Sequence, residues 1–193
     1  MKLVNKVVTV VTAIAAIAML ASCGSTSGAS DSSSAGASAA PAGPAPESPS
    51  EPPKYTFEGS ELKIEVENMY NEEFLIFADA KASGGYAAKL VSEESIATAI
   101  VTFPAGDYVG LVNEDAPDGN HDAFNVFIDD VAYRTFPSDP PIGTYELTTR
   151  TPMNLHFDAE TTVTVKIQQN DPNRPNKPGE TGMKLDYIIF QKK

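Results

Sequence analysis

Thr161-Thr162-Val163-Thr164-Val165-Lys166-Ile167-Gln168 sets apolar and polar side chains in alternation, and a period of two belongs to a β-strand with one face buried. Leu62, Ile64 and Val66 recur at the same spacing, as do Phe124, Val126 and Ile128, so these three rows are candidate core. From Tyr55 onward the chain consists of such short runs, broken by clusters of Gly, Pro, Asn and Asp. Strands are predicted over 61–67, 74–80, 86–91, 96–103, 106–112, 123–128, 144–149, 153–157, 161–168 and 184–190, and no helix is predicted. Asp129-Asp130 suits a tight hairpin turn, while Pro104-Ala105-Gly106 and Asp158-Ala159-Glu160 mark two further reversals. Many short strands in one domain-sized segment must form two packed sheets. The predicted fold class is all-β, an antiparallel β-sandwich of the jelly-roll kind over residues 55–193.

Upstream of that domain the texture changes twice. Residues 24–54 are almost entirely Ser, Ala, Gly and Pro, with no large apolar side chain to offset the entropy of folding, so a disordered linker is expected over 23–54. Its Gly/Ser-rich half should be flexible and its Pro-rich half stiffer, with an extended reach of roughly 90 Å. Residues 1–22 carry a basic start at Lys2 and Lys6, an apolar run from Val7 to Leu20 and then small residues, the organisation of an export signal. Leu20-Ala21-Ser22-Cys23 resembles the lipobox of bacterial lipoproteins, and Cys23 is the sole cysteine of the chain. That resemblance implies cleavage before Cys23, a diacylglycerol on its thiol and a fatty acyl chain such as palmitate on the new amino terminus. Several acyl chains give stable membrane anchoring. Gly24 stands where an inner-membrane retention signal usually has Asp, which favours the outer membrane or cell surface of the bacterial envelope.

The formal net charge is −12, and it becomes more negative once residues 1–22 are removed. Nucleic-acid binding, which draws most of its affinity from Lys and Arg on phosphates, is disfavoured by this balance. Catalytic signatures are thin as well. His121 beside Asp122, and His156 near Asp158, lack an activated Ser, for no G-x-S-x-G elbow exists. The acidic stretch from Glu114 to Asp122 lacks the alternate-residue spacing and closing Glu of a calcium loop. No paired His or Cys suggests zinc. The chain is therefore expected not to be an enzyme.

Glu65 and Glu67 stand two apart on a predicted strand, which would place two carboxylates on one face, either as a site for a cation or as a solvated surface. Five short motifs set this pair in a larger pattern. Ile64-Glu65-Val66-Glu67-Asn68, Ala82-Ser83-Gly84-Gly85-Tyr86, Phe103-Pro104-Ala105-Gly106-Asp107-Tyr108, Asp122-Ala123-Phe124-Asn125-Val126-Phe127-Ile128-Asp129 and Gly182-Met183-Lys184-Leu185-Asp186-Tyr187-Ile188 follow one another in that order. Over roughly residues 60–193 the chain resembles the carbohydrate-binding modules of families 6 and 35, galactose-binding-like jelly rolls.

The resemblance implies non-catalytic sugar binding and a structural Ca²⁺ held by Glu65, Glu67 and Asp186. A sugar site needs an aromatic face for ring C–H groups and polar groups for hydroxyls, and the family places these on loops at one end. Tyr86, Asn113, Tyr133, Tyr145 and Asn173 are the candidates here. For Tyr86 and Tyr145, ordinary packing between strands is the competing expectation. The chain departs from many family members in having no Trp for stacking. The functional expectation is a lipid-anchored envelope protein that binds polysaccharide or glycoconjugate. The alternative is a structural or adhesion lipoprotein that binds a protein partner through the same loops.

Overall fold

The computed structural model describes residues 44–119, 124–129, 131–135, 141–147, 151–169 and 182–193. The expectations at residues 1–22, Cys23, most of the tether, His121, Asp122 and Asn173 lie outside the described residues. The strands in chain order are β1 Lys54–Thr56, β2 Glu61–Glu65, β3 Tyr70–Glu72, β4 Phe74–Ala78, β5 Tyr86–Leu90, β6 Ile96–Phe103 and β7 Gly106–Asp115. They continue as β8 Phe124–Ile128, β9 Val131–Thr135, β10 Glu146–Leu147, β11 Met153–Phe157, β12 Thr161–Gln168 and β13 Lys184–Lys192. Among the described residues these form two sheets. One runs β1-β6-β12-β8-β9, with β3 also on β6; the other runs β10-β7-β13-β5-β4, with β11 on β7 and β2 on β13. Every pairing is antiparallel except that of β1 with β6.

Alternation decides which sheet face meets the other. In β12, Val163, Val165 and Ile167 are buried, and in β6 so are Ala97, Ala99, Val101 and Phe103, their neighbours in register. Phe124, Val126 and Ile128 join them from β8, and Ile64, Val112, Leu185, Ile188 and Phe190 close the core from the other sheet. Phe103 is the hub of an aromatic group at one end of the sandwich, with ring centroids 5.0 Å from Tyr108 and 5.1 Å from both Phe157 and Phe190. These rings bury large areas in stacked or edge-to-face geometry. The two-sheet antiparallel sandwich is the predicted one.

Several boundaries differ from expectation. β7 continues to Asp115 and β13 to Lys192, while the strand expected over 144–149 is reduced to Glu146–Leu147 in the described residues. β1 and β3 lie outside the predicted strands because three residues show too little period to be read, and β9 because Val131-Ala132-Tyr133-Arg134-Thr135 does not alternate. Residues just ahead of β1 also touch the domain. Pro53 O accepts from Ile100 N at 2.9 Å, Ser48 Oγ accepts from Asn71 N at 2.8 Å, and Pro44 O accepts from Tyr86 Oη at 3.1 Å. Proline brings no N–H of its own, so a Pro-rich stretch can lie along the domain and offer carbonyls without stranding donors.

Candidate functional site

Three carboxylates meet where β2 ends. The expectation that Glu65 and Glu67 share a strand face is corrected by the backbone: β2 stops at Glu65, and Val66–Asn68 forms a 3-10 turn closed by Met69 N donating to Val66 O at 3.1 Å. The turn carries Glu67 inward, where it is 3% exposed, so the solvated-face reading fails for it. Above it lies the turn between β4 and β5, where Gly84 takes φ +67° and a Cβ there would stand 3.9 Å from Glu67 Oε1. Asp186 arrives from β13 through a bulge. Leu185 pairs with Glu114 and Ile188 with Val112, so Asp186 and Tyr187 together oppose Asn113. An extra residue of this kind re-aims a side chain, and here it directs a 1% exposed carboxylate to Ser83 N at 2.9 Å and Asn113 Nδ2 at 2.8 Å.

The electrostatics follow from burial. Desolvation, together with the nearby Glu65 and Asp186 charges, pushes the Glu67 carboxyl up to about 8, against a smaller opposing effect of its backbone hydrogen bond and of Lys63. Desolvation also raises Asp186, with the Ser83 N–H and the Asn113 amide pulling the other way. Glu65 Oε2 and Glu67 Oε2 are buried with no hydrogen-bond partner. Such oxygens are costly in that state and are the donors a hard cation prefers. Asp186 differs, for both its oxygens are already engaged. Among the described residues, no group of three or more Asp, Glu, His or Cys side chains is placed to hold a metal ion as the chain stands. The donor set fits a hard cation in kind, with Glu65 and Glu67 supplying open oxygens and Asp186 reaching an ion only by releasing a protein donor.

The sugar-site candidates divide. Asn113 is 8% exposed and its amide donates to Asp186, so it supports the carboxylate cluster. Tyr86 opens β5, and its cross-strand partner on β4 is Ala78. One residue beyond, Asp79 Oδ2 accepts from Tyr145 Oη at 3.0 Å, which brings the two half-buried tyrosines to the same end of the sheet. Burial and the neighbouring Asp79 raise the Tyr145 hydroxyl far above its ordinary range, so it remains a donor. Tyr133 lies elsewhere. It lines an open groove of about 240 Å³ between the β8–β9 hairpin and β11, with Asn154, His156 and Phe157 on its walls.

Around Tyr86 and Tyr145 the loops are clamped by residues that strand periodicity does not reveal. Asp115 Oδ1 accepts from Gly143 N at 2.6 Å while its Oδ2 pairs with Lys184 at 2.8 Å; Lys81 Nζ donates to Gly143 O at 2.6 Å; Ala116 N donates to Pro141 O at 2.7 Å. The local signal for one of them is Asp79-Ala80-Lys81, an Asx turn in which Asp79 Oδ1 accepts from Lys81 N at 3.0 Å. His156 has Asp107 at 2.8 Å on Nδ1 and Asp158 at 3.1 Å on Nε2. Both ring nitrogens are thus occupied by carboxylates, which raise its pKa, and neither faces a nucleophile.

No protein-family model matches the sequence, and no curated protein matches it. Solved structures do. The chain is similar to a family 35 carbohydrate-binding module from Clostridium thermocellum, at 10% identity and TM-score 0.52, over 70% of this chain and 100% of that one. It is similar to the C-terminal CBM6 of the marine laminarinase LamC from Zobellia galactanivorans, at 14% identity and TM-score 0.50, over 68% of this chain and 99% of that one. A third is an exo-β-1,3-galactanase from Phanerochaete chrysosporium solved with galactose, at 16% identity and TM-score 0.52, where 68% of this chain matches 29% of the enzyme. The chain spans well under two thirds of that enzyme's length. Its described domain therefore has the jelly-roll fold of the carbohydrate-binding modules of families 6 and 35.

Proposed function

We propose that the domain binds carbohydrate without catalysing a reaction, and that a lipid on Cys23 displays it on the bacterial envelope. The observation that carries this reading is the clamped end of the β4-β5-β13-β7 sheet, where Tyr86 and Tyr145 stand half-buried beside Asp79, Lys81 and the Gly143 backbone. A sugar ring can lay its apolar C–H face on such rings, while the sugar's hydroxyls remain available for hydrogen bonds. Loops already tied to the sheet lose little freedom on binding, which favours affinity from a small surface. Ca²⁺ at Glu65 and Glu67, joined by Asp186, would tie β2 to β13 and fix the turn that leads into Tyr86. A protein partner is the second reading, favoured by Ile142, which is 57% exposed on the same rim.

The test is an array of galacto-, gluco- and manno-oligosaccharides, including β-1,3-galactotriose, probed with the full chain in calcium. Binding that falls about tenfold or more in Tyr145→Ala and Tyr86→Ala, with both variants folded, supports sugar recognition. Absence of any glycan signal from the folded wild type moves the protein-partner reading to first place.

A further inference from the structure

The carboxylate cluster already contains a cation, and it is a side chain. Lys63 precedes Glu65 by two on β2, so both project from the same face of that strand. Its Nζ lies 2.7 Å from Glu65 Oε1 and 2.6 Å from Ser83 Oγ, and Ser83 Oγ donates to the same Glu65 oxygen at 3.0 Å. The ammonium also sits 4.8 Å from the centroid of the Tyr187 ring, the cross-strand partner of Glu65. One positive charge therefore bridges strand β2 and the Ala82-Ser83-Gly84 turn, beside the place where an ion on Glu65 and Glu67 would sit. A lysine and a divalent ion compete for such a place, because an ion on the open Glu65 Oε2 would stand on the same carboxylate as the ammonium on Oε1, and two cations that close repel.

We propose that Lys63 is a resident counter-cation of this cluster, which lets the domain fold without metal and makes Ca²⁺ bind only by expelling the ammonium. The inference rests on the calcium reading above and assigns its control to a residue of this chain. A bound ion gains the carboxylates but must displace Lys63 from Glu65 and Ser83, so affinity is set by an exchange and not by the carboxylates alone. Removing the ammonium while keeping the aliphatic stem leaves Glu65 uncompensated, which weakens the metal-free fold and strengthens the attraction for calcium.

The experiment compares the full-chain wild type with Lys63→Met by calorimetric Ca²⁺ titration and by thermal unfolding in chelator and in calcium. The expected result is a Kd for Ca²⁺ about tenfold or more lower in Lys63→Met. Its melting temperature should fall in chelator and recover on adding Ca²⁺, with a smaller calcium response in wild type. Should Lys63→Met be unfolded in chelator, calcium must restore its fold, and failure to do so overturns the proposal. Equal affinity in the two proteins overturns it while leaving the calcium site intact. No binding by either protein removes the calcium reading itself, and this proposal with it. Glu65→Gln added to Lys63→Met gives a second check: it should recover part of the metal-free stability lost in the single variant, and a further loss would count against Lys63 as counter-charge.

Discussion

Glu67 shows how one buried side chain can make a whole domain sensitive to pH. Its carboxyl titrates at about 8 in the folded chain against 4.5 when unfolded, so between those values the folded state keeps a proton that the unfolded state has lost. Stability therefore falls as pH rises through that window, the reverse of a salt-bridged carboxylate. The groups facing it are Glu65 and Asp186, which oppose its ionisation, and Lys63, which favours it. In chelator the melting temperature should decline from pH 5 to pH 8, and Glu67→Gln should flatten that slope; a wild-type profile flat over the same range would contradict the burial argument. The sequence showed the carboxylates but could not show this behaviour. Period two set Glu65 and Glu67 side by side, whereas the 3-10 turn at Val66–Asn68 sends them different ways, and nothing in Glu-Val-Glu distinguishes a strand from its end. Asp186 was legible as a motif residue, yet the bulge that aims it is a property of the ladder with β7 and exists only once strands are paired.

β7 and β13 form the central pair of their sheet, and Gly110 lies within their ladder. It faces Phe190 on one side and Met153 on the other in register. A Cβ at Gly110 would meet Met153 Cε at 2.7 Å and Phe190 Cε1 at 3.0 Å. The methionine tip can move, but the fully buried Phe190 ring has little room. Gly110→Ala should cost about 1–3 kcal/mol by overpacking, read as a lower unfolding midpoint in denaturant at unchanged m-value. A midpoint equal to wild type would mean that the core yields there without strain. Other elements were readable in the sequence: β6, β11 and β12 have the predicted bounds, with Pro104 closing β6 and the turn Asp158-Ala159-Glu160 separating β11 from β12. β3 was not readable, since Tyr70-Asn71-Glu72 carries no alternation and is a strand only because β6 offers it an edge. The clamped loops at Tyr145 were unreadable for the same reason, as Asp115, Lys81 and Gly143 come together from three distant places in the chain.

At the scale of the molecule, the chain entering the domain is part of it. A fragment beginning at Tyr55 lacks the Pro53, Ser48 and Pro44 contacts and the first residue of β1, so it should melt several degrees below one beginning at Pro44. Equal melting temperatures would show that the Pro-rich segment contributes nothing to the fold. Lipidation is tested on the whole chain: Cys23→Ser should abolish incorporation of a palmitate analogue and move the protein from the detergent phase to the aqueous phase. Wild-type protein without label would exclude the anchor. The parallel pairing of β1 with β6 adds a mechanical consequence. A load applied through the N-terminal segment, along the direction of β1, stretches the Pro53–Ile100 and Phe57–Thr102 hydrogen bonds together and in shear. A strand loaded in that way resists as a unit and is not peeled off bond by bond, so the domain is joined to its leading segment by a connection suited to holding tension.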